Sequence, residues 1–222
     1  MDDTLYLERD FVLSGFKAVA AWGSKTYDIN SQEGFHFLWE SFEQGIRGNT
    51  FNLWLEAFDI DDPGAIANMI QVYRNHQPEI APCEDVLPVL NVLQSRAGLG
   101  LITEGYRQVQ ENKLTALGLE SFFEVRVIMG EDEREYWKPN SYPFRRLLDQ
   151  MGVPAGTAVY VGDNPFKDFG GARRAGMHSV RVRRPAGLHA AIEPESPEFA
   201  PDYECIDFHE LLIYLDRKLE DA

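Results

Sequence analysis

Four polar features of the sequence have types and spacings that could do chemistry. They are Asp2-Asp3-Thr4 at the start, Thr103, Lys138 before Pro139, and the run Gly162-Asp163-Asn164-Pro165-Phe166-Lys167-Asp168. Asp163 and Asp168 are hard oxygen ligands suited to Mg2+, which usually keeps waters and binds one or two carboxylates together with a phosphate oxygen. Lys138 can neutralise phosphoryl oxygens, and Thr103 offers a hydroxyl. The N–H groups of Glu104 and Gly105 open a helical pattern, and helix N-termini attract anions. Gly105 also lets backbone approach a ligand closely. Taken singly, each feature has a plainer reading: an Asp at a strand end caps a helix, a Lys before Pro is surface charge, and Thr103 is an N-cap. Together they describe a site for a divalent cation and a phosphate.

The elements that must position these residues alternate. Leu99-Gly-Leu-Ile-Thr103, 124–128, Thr157-Ala-Val-Tyr-Val161 and 179–182 read as strands. Helical patterns occupy 85–96, 106–117, 141–151, 166–175 and 208–219, with Gly118, Gly152 and Gly176 as C-caps. Such alternation predicts an α/β fold with a doubly wound, Rossmann-like parallel sheet, in which ligands bind at the carboxyl ends of the strands. Thr103 and Asp163 are then expected in one crevice. Residues 8–79 carry helical stretches at 8–22, 33–46, 50–58 and 63–76, which predicts an inserted helical bundle. Its aromatics Phe35, Phe37, Trp39, Phe42, Phe51, Trp54 and Phe58 are expected mainly to pack between helices. The segment 192–204, with Pro194, Pro197 and Pro201, reads as an exposed loop.

In this order and with these flanks, DDTLY (2–6), LGLITEG (99–105), KPNSYPF (138–144) and VGDNPFKDFGGARRAGM (161–177) resemble the haloacid dehalogenase-like (HAD) superfamily, whose phosphatases carry DxDxT, a strand-end Thr or Ser, Lys, and GDxxxxD. The resemblance implies a HAD α/β core over 1–7 and 80–222 and a helical cap over 8–79 that closes over the sheet and selects the substrate. It implies that Asp2 is the acid/base and contributes to the metal site through its main-chain carbonyl. Thr4 matches the Thr of that first motif. Thr103 and Lys138 match the phosphate-binding pair, with Glu104 standing where Asn or Asp is more familiar, and Asp163 and Asp168 match the acidic motif that anchors Mg2+. The family's nucleophilic Asp falls one position before Met1, and the apolar strand that carries it is not in the 222 residues. The expectation is therefore a Mg2+-dependent phosphatase of small phosphorylated metabolites, incomplete in its first motif, with Met1 an internal methionine of a longer reading frame. Asp2 as the nucleophile of a DxT arrangement is disfavoured because no strand precedes it.

Composition bounds the rest. With 21 Lys and Arg against 36 Asp and Glu, the net charge is −15, which opposes sequence-independent nucleic-acid binding. No run is long enough for a membrane span, and acids stand where a signal peptide would carry Lys or Arg, so the expected location is cytoplasmic. Cys83 and Cys205 are too few for a disulfide framework and read as reduced, buried thiols. Arg173, Arg174, Arg181, Arg183 and Arg184 read as a solvated basic face or a contact for an acidic partner. Three other readings remain: a non-catalytic HAD binder of a phosphorylated ligand, a haloacid dehalogenase, and a receiver domain, which the motif order and the helical insertion disfavour.

Overall fold

The computed structural model describes residues 1–220. The chain forms two compact units, residues 1–8 with 81 onward, and residues 9–80.

The second unit is helical: α1 (Glu8–Tyr27, its first residue in the other unit), α2 (Ser31–Glu43), α3 (Thr50–Ala57) and α4 (Ala65–Asn75). Apolar residues recur at helical spacing, Val12, Phe16 and Val19 on α1 and Leu38 and Phe42 on α2. They close a core with Trp54, Leu55, Ala65 and Met69. Trp54 is fully buried, and its indole N–H donates to the Gly34 carbonyl at 3.0 Å. A Cβ at Gly23 would lie 2.5 Å from the Trp54 ring, so the glycine lets the helices close around it. Phe42 is buried in this core, and Phe35, Phe37, Trp39, Phe51 and Phe58 pack against it. α2 starts at Ser31 because the Asn30 side chain accepts from the N–H groups of Gln32 and Glu33.

The first unit alternates strand and helix. Its elements are α5 (Val86–Gln94), β1 (Gly100–Glu104), α6 (Arg107–Leu117), β2 (Val125–Met129), α7 (Tyr142–Met151), β3 (Val159–Gly162), α8 (Asp168–Ala175), β4 (His178–Val182), β5 (Tyr203–Cys205) and α9 (Phe208–Glu220). All strand pairings are parallel, in the ladders β1-β2 and β3-β4-β5. Among the described residues no ladder joins β1 to β3. One apolar cluster nevertheless spans both: Phe144, Leu147 and Leu148 of α7 pack with Ile102, Val127 and Met129 of the first ladder and with Tyr160 of the second. α6, α7 and α8 end at Gly118, Gly152 and Gly176, each in the left-handed conformation.

The expected loop over 192–204 is corrected at its end, where 203–205 forms β5. Only Cys205 of that strand is buried, so no alternation announces it. The pairing is tertiary: β5 lies along β4 with Val182 opposite Cys205, and the Asp202 carboxylate accepts from Ser179 N–H at 2.8 Å. Both cysteines are free, and burial pushes the Cys205 thiol up to about 12. No described helix is long and apolar enough to cross a membrane.

Replacing Trp54 by Ala is expected to lower stability by about 3–5 kcal/mol, through lost burial and the cavity left behind. Urea denaturation followed by far-UV circular dichroism checks this; a loss under about 1 kcal/mol would show that the helical core does not depend on the indole.

Candidate functional site

The site is built around the loop after β3. Asp168, in the first turn of α8, is 1% exposed and collects four donors on one carboxylate. Its Oδ2 accepts from the N–H groups of Asp163 at 3.1 Å and Asn164 at 2.9 Å. Its Oδ1 accepts from Lys138 Nζ at 2.6 Å and the Tyr160 hydroxyl at 2.9 Å. Burial alone would raise the Asp168 carboxyl, but the Lys138 ammonium holds it below the usual range. Burial likewise works against the Lys138 ammonium, and Asp168, with Tyr160 and Glu104, holds it well above its ordinary value. The two shifts agree on an ion pair whose acid is buried and whose lysine side chain is 11% exposed.

Glu104 joins this pair to the end of β1. Its carboxylate accepts from Lys138 backbone N–H at 2.8 Å and from Lys167 Nζ at 2.7 Å. The unusual residue at this position therefore carries the lysine backbone. Neighbouring Thr103 is buried, and its hydroxyl donates to Gln110 Oε1 at 2.8 Å. The Gly105 N–H donates to the Met129 carbonyl at 3.1 Å, and Arg107 N–H donates to Glu131 Oε2 at 3.2 Å. Two donors at the start of α6 are thus already spent within the protein.

Asp163 is oriented from several sides. Thr4 Oγ1 donates to its Oδ1 at 3.2 Å, and His189 Nδ1 lies 3.0 Å from its Oδ2. Its main-chain carbonyl accepts from Arg181 Nε at 3.0 Å. Asp3, at φ 47°, accepts from Glu8 N–H at 2.9 Å and Leu188 N–H at 2.7 Å. Ligating atoms of Asp3, Asp163 and His189 lie within 4.8 Å of one another, while Arg181, Arg183 and Arg184 line the small cavity beside them.

The expectation of a solvated basic face fails for Arg181 and Arg184, which are buried. Arg181 Nη2 donates to the carbonyls of His189 at 2.8 Å and Ile192 at 2.9 Å. Arg184 forms a bidentate pair with Asp85, both contacts at 3.0 Å, and its Nε donates to the Thr4 carbonyl at 3.0 Å. A strand-end arginine with a five-donor fork is the side chain best able to satisfy carbonyls that converge from separate loops.

Asp2 completes the set. Its Oδ1 accepts from Lys113 Nζ at 2.7 Å and from the Tyr6 hydroxyl. Burial would raise this carboxyl, but the Lys113 ammonium and these hydrogen bonds keep it below the usual range. Thr4, two residues after Asp2, donates to Asp163, and Asp168 holds both the Asp163 N–H and the Lys138 ammonium, so the first motif lies beside the acidic loop. Sequence reasoning missed Gln110, Lys113, Tyr160 and His189. Gln110 and Lys113 stand three apart on α6, and a polar pair on an otherwise apolar buried face was the available signal.

Residues 1–182 match the family described as haloacid dehalogenase-like hydrolase. The chain belongs to this family. It is 34% identical over 221 residues to a glyceraldehyde 3-phosphate phosphatase of Methanopyrus kandleri, covering 96% of this chain and 93% of the relative. Over 115 residues it is 38% identical to a phosphoserine phosphatase of Thermus thermophilus, 52% of this chain and 43% of that protein. A HAD phosphatase from Thermococcus onnurineus superposes with a TM-score of 0.61 at 25% identity, over 97% of this chain and 94% of that one.

The His189 contact has a pH signature. Its hydrogen bond to Asp163 raises the imidazole above its ordinary value, against the opposing effect of burial. A raised folded-state pKa adds stability that is fully present below the unfolded value near 6.5 and is lost as pH rises through the folded value. The stability difference between the native chain and His189→Asn, read as urea midpoints across pH, is expected to shrink as pH rises from below 6 to above neutrality. A difference that stays constant would mean that His189 does not charge beside Asp163.

Proposed function

We propose that this HAD-family hydrolase is a Mg2+-dependent phosphatase of small phosphate esters. The observation that carries this reading is Lys138 at the end of β1: its ammonium, on a side chain only 11% exposed, pairs with Asp168, and its backbone N–H donates to Glu104. A cation so largely withdrawn from water neutralises phosphoryl oxygens better than a surface lysine. The kinship with phosphatases points the same way.

The donor set fits a hard cation: Asp163 offers carboxylate oxygens, and the family pattern adds Asp168 and the Asp2 main-chain carbonyl. Asp168 already accepts four hydrogen bonds, so its larger part is to hold Lys138 and the loop, leaving Asp163 as the principal ligand. When bound, Mg2+ supplies further neutralisation of phosphoryl charge. Lys138 binds and orients the phosphoryl group; Thr103, which the family pattern pairs with it, has its hydroxyl hydrogen on Gln110, and Gly105 keeps the adjacent backbone open. Asp2 is the acid/base. Its contact with Lys113 favours the carboxylate, the form that takes a proton from an attacking water. The helical unit, residues 9–80, serves as the cap that selects the leaving group.

An aspartyl-phosphate route also needs a nucleophilic carboxylate two positions before Asp2, and the residue immediately before Asp2 is Met1. The 222-residue chain is therefore expected to bind orthophosphate in the presence of Mg2+ yet release none from a panel of phosphate esters. Lys138→Ala is expected to weaken that binding about tenfold or more. Extending the chain by an apolar strand ending in Asp at the required position is expected to give release that chelator abolishes. Mg2+-dependent turnover by the 222 residues themselves, lost in Asp2→Asn, would overturn the nucleophile assignment. Phosphate binding with no release even from the extended chain would establish the non-catalytic binder instead.

A further inference from the structure

α6 turns two polar side chains inward on one face. Val109, Gln110, Lys113, Leu114 and Leu117 are its buried residues, and Lys113 reaches Asp2. Gln110, three residues earlier, is 5% exposed, as closed off as the apolar residues beside it. The two ends of its carboxamide are treated differently: among the described residues only one has a protein partner, and Nε2 is not among the fully buried polar atoms that lack one. Oε1 accepts the Thr103 hydroxyl at 2.8 Å, whereas among the described residues Nε2 donates to none.

The free donor end lies over the strand-end backbone. A Cβ built on Gly105 would sit 2.8 Å from Gln110 Nε2, and Gly105 has φ +139°, a conformation other residues rarely adopt. The glycine thus leaves the space that the amide occupies. The other donors expected at this strand end are committed, Gly105 N–H to Met129 and Arg107 N–H to Glu131. The Thr103 hydroxyl hydrogen is itself spent on Gln110. The end of β1 therefore carries Glu104 bound to the Lys138 backbone and, over Gly105, an amide N–H with no protein partner among the described residues.

We infer that Gln110 is a further phosphate-binding residue of this site: Nε2 donates to a phosphoryl oxygen, and Oε1 fixes the rotamer of Thr103. The inference rests on the phosphate pocket proposed above and adds a residue that the four motifs do not contain. It also gives Gly105 a role besides close approach of its own backbone, that of seating the carboxamide.

The test is calorimetric titration of the 222-residue protein with orthophosphate in Mg2+, using the native chain, Lys138→Ala, Gln110→Met and Gln110→Glu, with thermal melts of each. Gln110→Met keeps the length of the side chain and removes both polar ends. Gln110→Glu keeps the acceptor for Thr103 and removes the donor, so it separates binding from packing and serves if the Met variant does not fold. Both are expected to weaken phosphate binding about tenfold or more, the Glu variant at least as much as the Met variant, with Mg2+ affinity unchanged. Native phosphate affinity in Gln110→Glu, or in a folded Gln110→Met, would overturn the inference while the Lys138→Ala result upholds the pocket. Absence of phosphate binding by the native chain, or no effect of Lys138→Ala, would instead overturn the pocket reading on which this rests.

Discussion

The carboxylate of Asp168 is the constraint on which the site depends. One group, almost wholly buried, ends a loop, starts a helix and holds a lysine. Two backbone N–H groups shape the turn that aims Asp163, and the Tyr160 hydroxyl and Lys138 ammonium share the remaining oxygen. Its place in the first turn of α8 favours negative charge through the helix dipole. A buried lysine stays charged only beside such a partner, and an isolated charge of either sign there would be strongly destabilising. The same pair therefore sets the conformation of the loop and maintains the positive charge expected to meet an anion.

Around that pair the chain uses its arginines as internal ties. A protein with net charge −15 has few cations to spend, yet Arg181 and Arg184 are withdrawn from water. Arg181 joins the carbonyl of Asp163 to those of His189 and Ile192 in a second loop. Arg184 ties Thr4 to Asp85, and Asp85 in turn accepts from the N–H of Phe208 at the start of α9. Loops that run close to a sheet end leave carbonyls partly buried, and such groups need donors. A guanidinium supplies several in one rigid plane, so two side chains hold the first motif, the acidic loop and two helix starts together.

The ladder arrangement puts the same logic at the scale of the fold. β1 and β3 carry Glu104 and Gly162 at their ends and, among the described residues, do not pair with each other, yet α7 packs Phe144, Leu147 and Leu148 against strands of both ladders. The apolar layer keeps the two strand ends together, while Glu104, Lys138 and Asp168 connect them through polar contacts.

Local pattern was enough for the alternation of strands and helices, the three glycine C-caps and the helices of residues 9–80, because each depends on periodicity or on residue types within a few positions. The family also followed from motif order. What the sequence could not decide was pairing. β5 is a strand only because β4 and Ser179 accept it, and its three residues show no alternation. Arg181 has the same sequence character as exposed Arg173, and only the convergence of three carbonyls makes it a buried clamp. Gln110 and Lys113 read as ordinary residues of a helix until the fold turns that face toward Thr103 and Asp2. Residue type and spacing determine which groups are capable of the chemistry. Which of them are desolvated, oriented and given partners depends on contacts between residues up to 180 positions apart, as in the Arg184 bond to Thr4, and those exist only once the chain has folded.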